Sequence, residues 1–103
     1  MKRQHFHKFN AKPEIVDDKW FGSKKEAKYY RELKLRVLAG EVLFFLMQVP
    51  FDLPGKVKYR VDFQEFHKDG TVHFIDVKGR KTPMYEVKKK QVEELYPITI
   101  EEV

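Results

Sequence analysis

One apolar segment that ends in an acid and a lysine constrains the fold of this chain more than any other stretch. It begins at Val72 and reads V-H-F-I-D-V-K-G, a composition typical of a β-strand. Because strand side chains alternate between two faces, Asp76 and Lys78 are predicted to project from the same face. Another acid, Asp62, lies in the apolar segment just upstream. The pattern predicts two adjacent strands that carry two carboxylates and an amine.

The turn between these strands decides whether the two acids meet. A two-residue turn would place Asp62 and Asp76 on opposite faces of the sheet. A three-residue turn, Lys68–Gly70 with a left-handed glycine, pairs His67 with Thr71 and sets the acids directly opposite each other. Cβ atoms at such positions lie about 4.5–5.5 Å apart, and carboxylates that close repel strongly unless a cation lies between them. We predict the three-residue turn.

The first helix is predicted to run from Ser23, its N-cap, to Ala39. Glu26 completes the capping box S-K-K-E. It also heads the stripe predicted to face the core, whose other members are Tyr30, Leu33 and Val37. Two roles for Glu26 therefore remain open, capping of the helix alone or participation in a cation site.

The remaining pattern predicts an α/β fold with the order αβββαβ, a mixed β-sheet flanked by helices, after a short N-terminal hairpin over residues 14–21. The strands of the sheet are predicted over residues 41–51, 57–67, 72–78 and 98–100. The continuous apolar run of the first predicts a central strand buried on both faces. Its polar exception, Gln48, is predicted to bond to the backbone, or else to orient a water or a phosphate near the site.

The second helix carries a concentration of positive charge. It is predicted to begin at Thr82, and the residues predicted to face inward are Met84, Val87, Gln91, Val92 and Leu95. Between Lys78 and Lys90 basic residues outnumber acids. A solvated face is the ordinary explanation of such a run, but beside paired carboxylates it is typical of a phosphate-backbone track. The predicted phosphate contacts are Lys24, Lys25, Arg60, Arg80, Lys81, Lys88 and Lys89.

Composition limits the fold and its partners. The chain has 103 residues, enough for one domain, predicted over residues 14–103. Residues 1–13 form a basic arm that is either a frayed terminus or a nucleic-acid contact. The lack of cysteine excludes disulfides and thiolate metal sites and favours an intracellular location, and no apolar run approaches the roughly 18 residues of a membrane span. The formal net charge of +5 favours a polyanionic partner.

The acids and the lysine match the needs of phosphodiester hydrolysis. Asp62 and Asp76, with Glu26 and the Val77 carbonyl as further candidates, offer hard oxygen ligands for Mg²⁺. Lys78 would polarise the attacking water or stabilise the charge that builds on the phosphate. Ion pairing across a surface hairpin, without catalysis, is the alternative for these residues. Hydrolysis is favoured because an acid flanked by apolar residues needs a partner.

These motifs resemble those of the PD-(D/E)-x-K nuclease superfamily. The segments V-D-F at Asp62 and I-D-V-K-G at Asp76 carry the likeness, with Val61 in place of the usual proline before the first acid. More closely, S-K-K-E-A-K-Y-Y, Q-V-P-F, Y-R-V-D-F and D-V-K-G-R-K-T are similar to a family of small phage-borne nucleases related to the archaeal Holliday junction resolvases. The resemblance covers roughly residues 14–95.

The resemblance implies a restriction-endonuclease-like core, a homodimer, dependence on Mg²⁺ or Mn²⁺, and cleavage of branched DNA. It also implies that Glu26 is an acid of the metal site. The predicted function is therefore a structure-specific endonuclease for four-way junctions, in the cytoplasm of a bacterial host if the protein is phage-encoded. The alternatives are a phage replication or packaging nuclease of broader specificity, a non-catalytic DNA-binding module, and an RNA nuclease.

Overall fold

The computed structural model describes residues 13–103, which form two helices and six strands. Their bounds are β1 (Glu14–Val16), β2 (Lys19–Phe21), α1 (Lys24–Leu38), β3 (Val42–Leu53), β4 (Val57–His67), β5 (Val72–Asp76), α2 (Pro83–Leu95) and β6 (Ile100–Glu102). This sequence of elements confirms the predicted order αβββαβ after a short hairpin. The predicted basic arm, apart from Pro13, lies outside the described residues.

The strands form two sheets. β1 pairs with β2, and the other four strands form a mixed sheet in the order β3-β4-β5-β6. β6 runs parallel to β5, and the other neighbouring strands are antiparallel. Within residues 13–103, no helix is long and apolar enough to cross a membrane.

The turn between β4 and β5 has the predicted three-residue form. The N–H of His67 donates to the Thr71 carbonyl at 2.9 Å, so these two residues close the hairpin. Gly70 has a φ of 90°, a conformation that glycine adopts without the steric penalty of a side chain. The four residue pairs beyond the turn keep the same register, and the next position places Asp62 opposite Asp76.

β3 is an edge strand of the sheet, not the predicted central strand. Its inner face packs through Phe45 and Met47 against the core. Its outer face stays in solvent, with Phe44 51% and Leu46 47% exposed. The prediction of burial on both faces was wrong because a continuous apolar run does not show whether another element covers each face.

α1 forms and packs as its sequence predicts. The Ser23 hydroxyl accepts from the Glu26 N–H at 3.1 Å, which satisfies one of the free amides of the first turn. Tyr30 and Leu33 are buried and join a core cluster with Phe63 of β4. The buried stripe of α1 therefore faces the sheet, and Glu26 lies half-buried at its N-terminal end.

α2 turns a different face to the sheet from the one predicted. Its buried residues are Tyr85 and Val92, which pack with residues of β3, β4 and β6 in a second core cluster. The other residues predicted to face inward are exposed, namely Met84, Val87, Gln91 and Leu95. Two apolar stripes lie on this helix, and packing against the sheet selects the one that contains Tyr85. Helical periodicity alone does not distinguish them.

The last strand begins later than predicted. β6 covers Ile100–Glu102, whereas the prediction was residues 98–100. It pairs with β5 so that Glu102 lies beside Asp76. Glu102 is therefore part of the sheet.

Candidate active site

The paired residues of β4 and β5 end with Phe63 and Ile75. Beyond that pair, side-chain carboxylates accept hydrogen bonds from backbone amides of the opposite segment. The N–H of Asp62 donates to Asp76 Oδ1 at 3.0 Å, and the N–H of Val77 donates to Asp62 Oδ2 at 2.8 Å. Both acids are buried, with exposed fractions of 8% for Asp62 and 0% for Asp76. The predicted neighbouring positions are confirmed. The sequence did not predict that each carboxylate would bind an amide of the opposite strand.

Asp76 has a hydrogen-bond donor at each oxygen. Its Oδ2 accepts from the Tyr59 hydroxyl, while Oδ1 accepts from the backbone of Asp62. Burial raises the pKa of Asp76, the Asp62 amide and the charge of Lys78 oppose that rise, and Glu102 adds to it. The hydrogen bond from Asp62 and the charge of Lys78 therefore offset only part of the effect of burial on the charged form of Asp76.

Gln48 links two acids from a strained position. Its φ of 52° is uncommon for a residue other than glycine, and such backbone strain clusters at functional sites. It sits between two paired residues of β3, opposite Asp62. Its Nε2 donates to Glu26 Oε2 at 3.3 Å and to Asp62 Oδ1 at 3.4 Å. The predicted bond to the backbone was wrong, because the fold brings two carboxylates within reach of this side chain.

Glu26 is the third acid of the cluster. Its pKa rises from the ordinary 4.5 to about 7, mainly because of burial and next because of the negative charge of Asp62. Asp76 adds to the rise, and Lys78 opposes it. The structure shows the Ser23 half of the predicted capping box, and participation of Glu26 in a cation site stays a prediction. The backbone amide of Glu26 donates to the N-cap Ser23, while its side chain joins the acids.

Lys78 provides the positive charge among the three acids. Its charge lowers the pKa of Glu26, Asp62 and Asp76, against the effect of burial. Its Nζ lies 4.8 Å from the centroid of the Tyr85 ring, within the range of a cation–π interaction. The ammonium group is therefore held close to the carboxylates by an aromatic side chain of α2.

The donor chemistry of the three acids fits a hard divalent cation. Carboxylates that are buried near one another have raised pKa values, and a cation between them would favour their charged forms. In residues 13–103, no group of three or more acidic or histidine side chains is arranged to hold a metal ion. The oxygens of Asp62 and Asp76 bind amide and hydroxyl donors instead. A carboxylate has about four lone-pair sites, so a hydrogen bond and a ligand bond can coexist.

The predicted phosphate contacts differ in exposure and partners. The exposed ones are Lys24, Lys25, Arg60, Arg80 and Lys81, and the half-buried ones are Lys88 and Lys89. The Nζ of Lys81 lies 2.9 Å from Glu102 Oε1, and that of Lys89 lies 4.0 Å from Glu102 Oε2. Lys25 donates to the Lys78 carbonyl at 3.0 Å. A phosphate that bound Lys81 or Lys89 would therefore compete with an internal carboxylate.

Three side chains near the acids were not predicted from the sequence. Tyr59 donates to Asp76, and Tyr85 donates to Glu102 Oε2 at 2.7 Å while its ring faces Lys78. A signal existed for Tyr59, because a tyrosine on a buried strand face needs a partner for its hydroxyl. The position of Glu102 depends on parallel pairing between β5 and β6, for which local sequence carries no signal.

Residues 6–101 match the family described as "Protein of unknown function (DUF1064)". The chain belongs to that family. Neither a curated protein nor a solved structure matched it. The functional interpretation of this DUF1064 chain therefore depends on the geometry of its own residues.

Replacement of Glu26 by glutamine is expected to stabilise the DUF1064 fold at neutral and alkaline pH, and to change little near pH 4. The folded-state pKa of about 7 exceeds the ordinary 4.5, so the folded state binds this proton more tightly than the unfolded state does. The contribution of Glu26 to stability is therefore greatest below about 4.5 and is lost as the pH rises through about 7. Urea unfolding of parent and variant in chelator, across this pH range, measures the difference.

The control is Glu32→Gln, because Glu32 is an exposed acid on the same helix. It should change the free energy of unfolding by less than about 0.5 kcal/mol, as exposed substitutions usually do. A difference between the parent and Glu26→Gln that stays constant from acidic to alkaline pH would contradict the assigned surroundings of Glu26.

Proposed function

We propose that this DUF1064 protein is a metal-dependent DNA endonuclease that cleaves four-way junctions. The supporting observation is that Glu26 of α1 and Asp62 of β4 share the Gln48 amide, that the charges of Asp62 and of Asp76 of β5 raise the pKa of Glu26, and that the charge of Lys78 acts on all three acids. Acids from separate elements with raised pKa values are typical of functional sites. The formal net charge of +5 suits a polyanionic substrate.

Each residue of the cluster has a distinct role in this proposal. Asp62 and Asp76, with Glu26 and the Val77 carbonyl, would hold Mg²⁺, for which Mn²⁺ can substitute. The chemistry that a bound cation supplies is neutralisation of the phosphoryl oxygens and acidification of a water. The ammonium group of Lys78 would polarise that water or stabilise the charge that develops on the phosphate. Because amides of the neighbouring strand fix Asp62 and Asp76, little rearrangement of the sheet is required.

A homodimer is part of the proposal. Symmetric cleavage of a junction needs two sites, and a twofold pair of chains supplies them. Phe44 and Leu46 on the exposed face of β3 are available for such a contact, whereas Phe45 and Met47 pack against the core. If the protein is phage-encoded, its DNA substrate would place it in the cytoplasm of the bacterial host.

The positions of the carboxylate oxygens favour a second candidate, a DNA-binding module without catalysis. Asp62 and Asp76 bind backbone amides across the hairpin, which is also a structural role. Within the described part of the chain, the acids are not arranged as a ready set of three metal ligands. Such a module would bind branched DNA and leave it intact with any cation.

The protein is expected to cut a synthetic four-way junction into paired, symmetric nicks in Mg²⁺, and chelation should abolish the products. A flap, a linear duplex and an RNA junction of matched length test the other substrates, and gel electrophoresis of end-labelled strands measures the cut positions. Equal cleavage of junction, flap and duplex would favour the nuclease of broader specificity. Junction binding without cleavage in Mg²⁺ or Mn²⁺ would reject the endonuclease and leave the binding module.

A further inference from the structure

The N-terminal hairpin exposes a large aromatic side chain. Trp20 is 67% exposed, and its cross-strand partner Ile15 is 68% exposed. The next residue, Phe21, points the other way and is 1% exposed, so it supplies the contact of the hairpin with the core. The fold therefore uses Phe21 for packing and leaves Trp20 in solvent.

The hairpin that carries Trp20 is held firmly against α1. The Phe21 ring lies 4.9 Å from the Tyr30 ring. The Tyr30 hydroxyl and the Lys34 amine both donate to Asp17 in the turn, at 2.9 Å and 2.5 Å. A rigid aromatic side chain loses little conformational freedom when it binds a partner. Trp20 therefore lies on a hairpin whose position is fixed by its contacts with α1.

Covalent geometry places Trp20 near the candidate active site. Ser23 caps α1 three positions after it, and Glu26 lies one helical turn further on. An extended segment spans at most about 3.6 Å per residue and a helix rises about 1.5 Å per residue, so the Cα atoms of Trp20 and Glu26 are within about 16 Å. A DNA strand covers that distance in about five nucleotides, since it rises about 3.4 Å per nucleotide.

The charges around Trp20 suit a nucleic acid. Lys19, Lys24 and Lys28 are exposed beside it in the chain or on the adjoining helix. The nearby acids Glu14 and Asp17 are paired with Arg31 and Lys34 respectively, and Asp18 lies at the tip of the turn. An aromatic side chain among lysines is the combination that binds single-stranded DNA by base stacking and phosphate attraction.

From these observations we propose that Trp20 stacks on an exposed face of a DNA base close to the branch point of the substrate. This inference rests on the proposed function and extends it, because it assigns the hairpin a preference for DNA with unpaired or unstacked bases. A continuous duplex exposes no base face except at its ends, whereas base stacking is interrupted where the arms of a junction or a flap meet. Trp20 therefore favours junctions and flaps over continuous duplex.

Fluorescence tests this inference directly, because Trp20 is the only tryptophan in the chain. The protein is titrated in chelator with a single-stranded oligonucleotide, a four-way junction and a relaxed, covalently closed circular duplex, which has neither ends nor loops. Quenching of Trp20 emission is expected with the first two, and little with the third. Stacking of a base on an aromatic side chain is worth about tenfold in affinity, so Trp20→Ala should bind single-stranded DNA about tenfold more weakly. Trp20→Phe should retain most of the affinity.

The matched control is Leu38→Ala, which truncates another exposed apolar side chain at the far end of α1. It should bind as the parent does, and circular dichroism confirms the fold of each variant. Binding of single-stranded DNA without quenching, or with equal affinity for parent, Trp20→Ala and Trp20→Phe, would overturn the stacking inference. So would a loss of dimer in Trp20→Ala with unchanged DNA affinity, because Trp20 would then contact a second copy.

The measurements separate this inference from the proposed function. Quenching and the affinity of Trp20→Ala are recorded without a cation and need no cleavage. A parent protein that is quenched by unpaired DNA but never cuts it supports the stacking inference and contradicts the endonuclease. A protein that cuts junctions without quenching contradicts the stacking inference alone.

Discussion

Asp76→Asn is expected to reduce Mg²⁺-dependent cleavage of a four-way junction by about a thousandfold or more, while DNA binding stays the same or becomes tighter. Loss of a charged group that acts on the reacting phosphate costs about this much in rate. The asparagine keeps an oxygen that can accept from the Asp62 amide at the position of Asp76 Oδ1. Binding would not suffer, because the substitution removes a negative charge near the phosphate. Single-turnover cleavage and a gel-shift titration in Ca²⁺ measure the two effects.

The same variant is expected to be about as stable as the parent or more so, because the Tyr59 hydroxyl that bonds Asp76 Oδ2 can turn to accept from the new amide, so no buried donor loses its partner. Asp76 is completely buried, and burial raises its pKa, so its charged form is unfavourable in the folded state above the ordinary pKa. Asp18→Asn is the matched control, since it changes the net charge equally in an exposed turn. Cleavage by Asp76→Asn within about threefold of the rate of Asp18→Asn would contradict the role assigned to Asp76.

Glu65→Gln is expected to lower the free energy of unfolding by about 3 kcal/mol and to have no direct effect on cleavage. These effects are the reverse of those expected for Asp76→Asn. The Glu65 side chain is 1% exposed and accepts from the Tyr29 hydroxyl. Its carboxylate lies 2.8 Å from His67 Nε2 and 3.4 Å from the Arg36 guanidinium. A glutamine replaces one acceptor oxygen with a donor, so buried donors lose their partner. For a domain of this size the expected fall in melting temperature is roughly 15 °C.

Glu101→Gln provides the control for Glu65. Its carboxylate lies 2.6 Å from His73 Nδ1, but the side chain is 48% exposed, so its loss should cost less than about 1 kcal/mol. Thermal unfolding of both variants measures the difference. If Glu65→Gln melts within about 3 °C of Glu101→Gln, the contacts of Glu65 with Tyr29 and Arg36 of α1 do not stabilise the fold as expected.

The sequence predictions were correct where the structure depends on residues close together in the chain, and wrong where it depends on packing between distant segments. The three-residue turn ending at Gly70 was predictable because glycine and neighbouring residues determine turn geometry. The N-cap at Ser23 was predictable for the same reason. The edge position of β3 and the buried face of α2 were not, because both depend on which elements happen to cover an apolar surface.

The candidate site shows the same division. The sequence placed Asp62, Asp76 and Lys78 together, since strand alternation and one turn suffice to bring them near each other. It did not assign a side-chain partner to Gln48, whose left-handed backbone brings it to Glu26 and Asp62. Those two hydrogen bonds depend on how β3 packs against the elements that carry Glu26 and Asp62.

By itself, the sequence determined the order of helices and strands, the hairpin register and the adjacency of two acids, because hydrogen bonds and side-chain alternation over a few residues specify them. Only the tertiary structure decided that Asp76 is completely buried against Tyr59 and that Glu26 reaches the same cluster. Desolvation and charge interaction depend on what packs around a group. Those surroundings come from residues far apart in the chain.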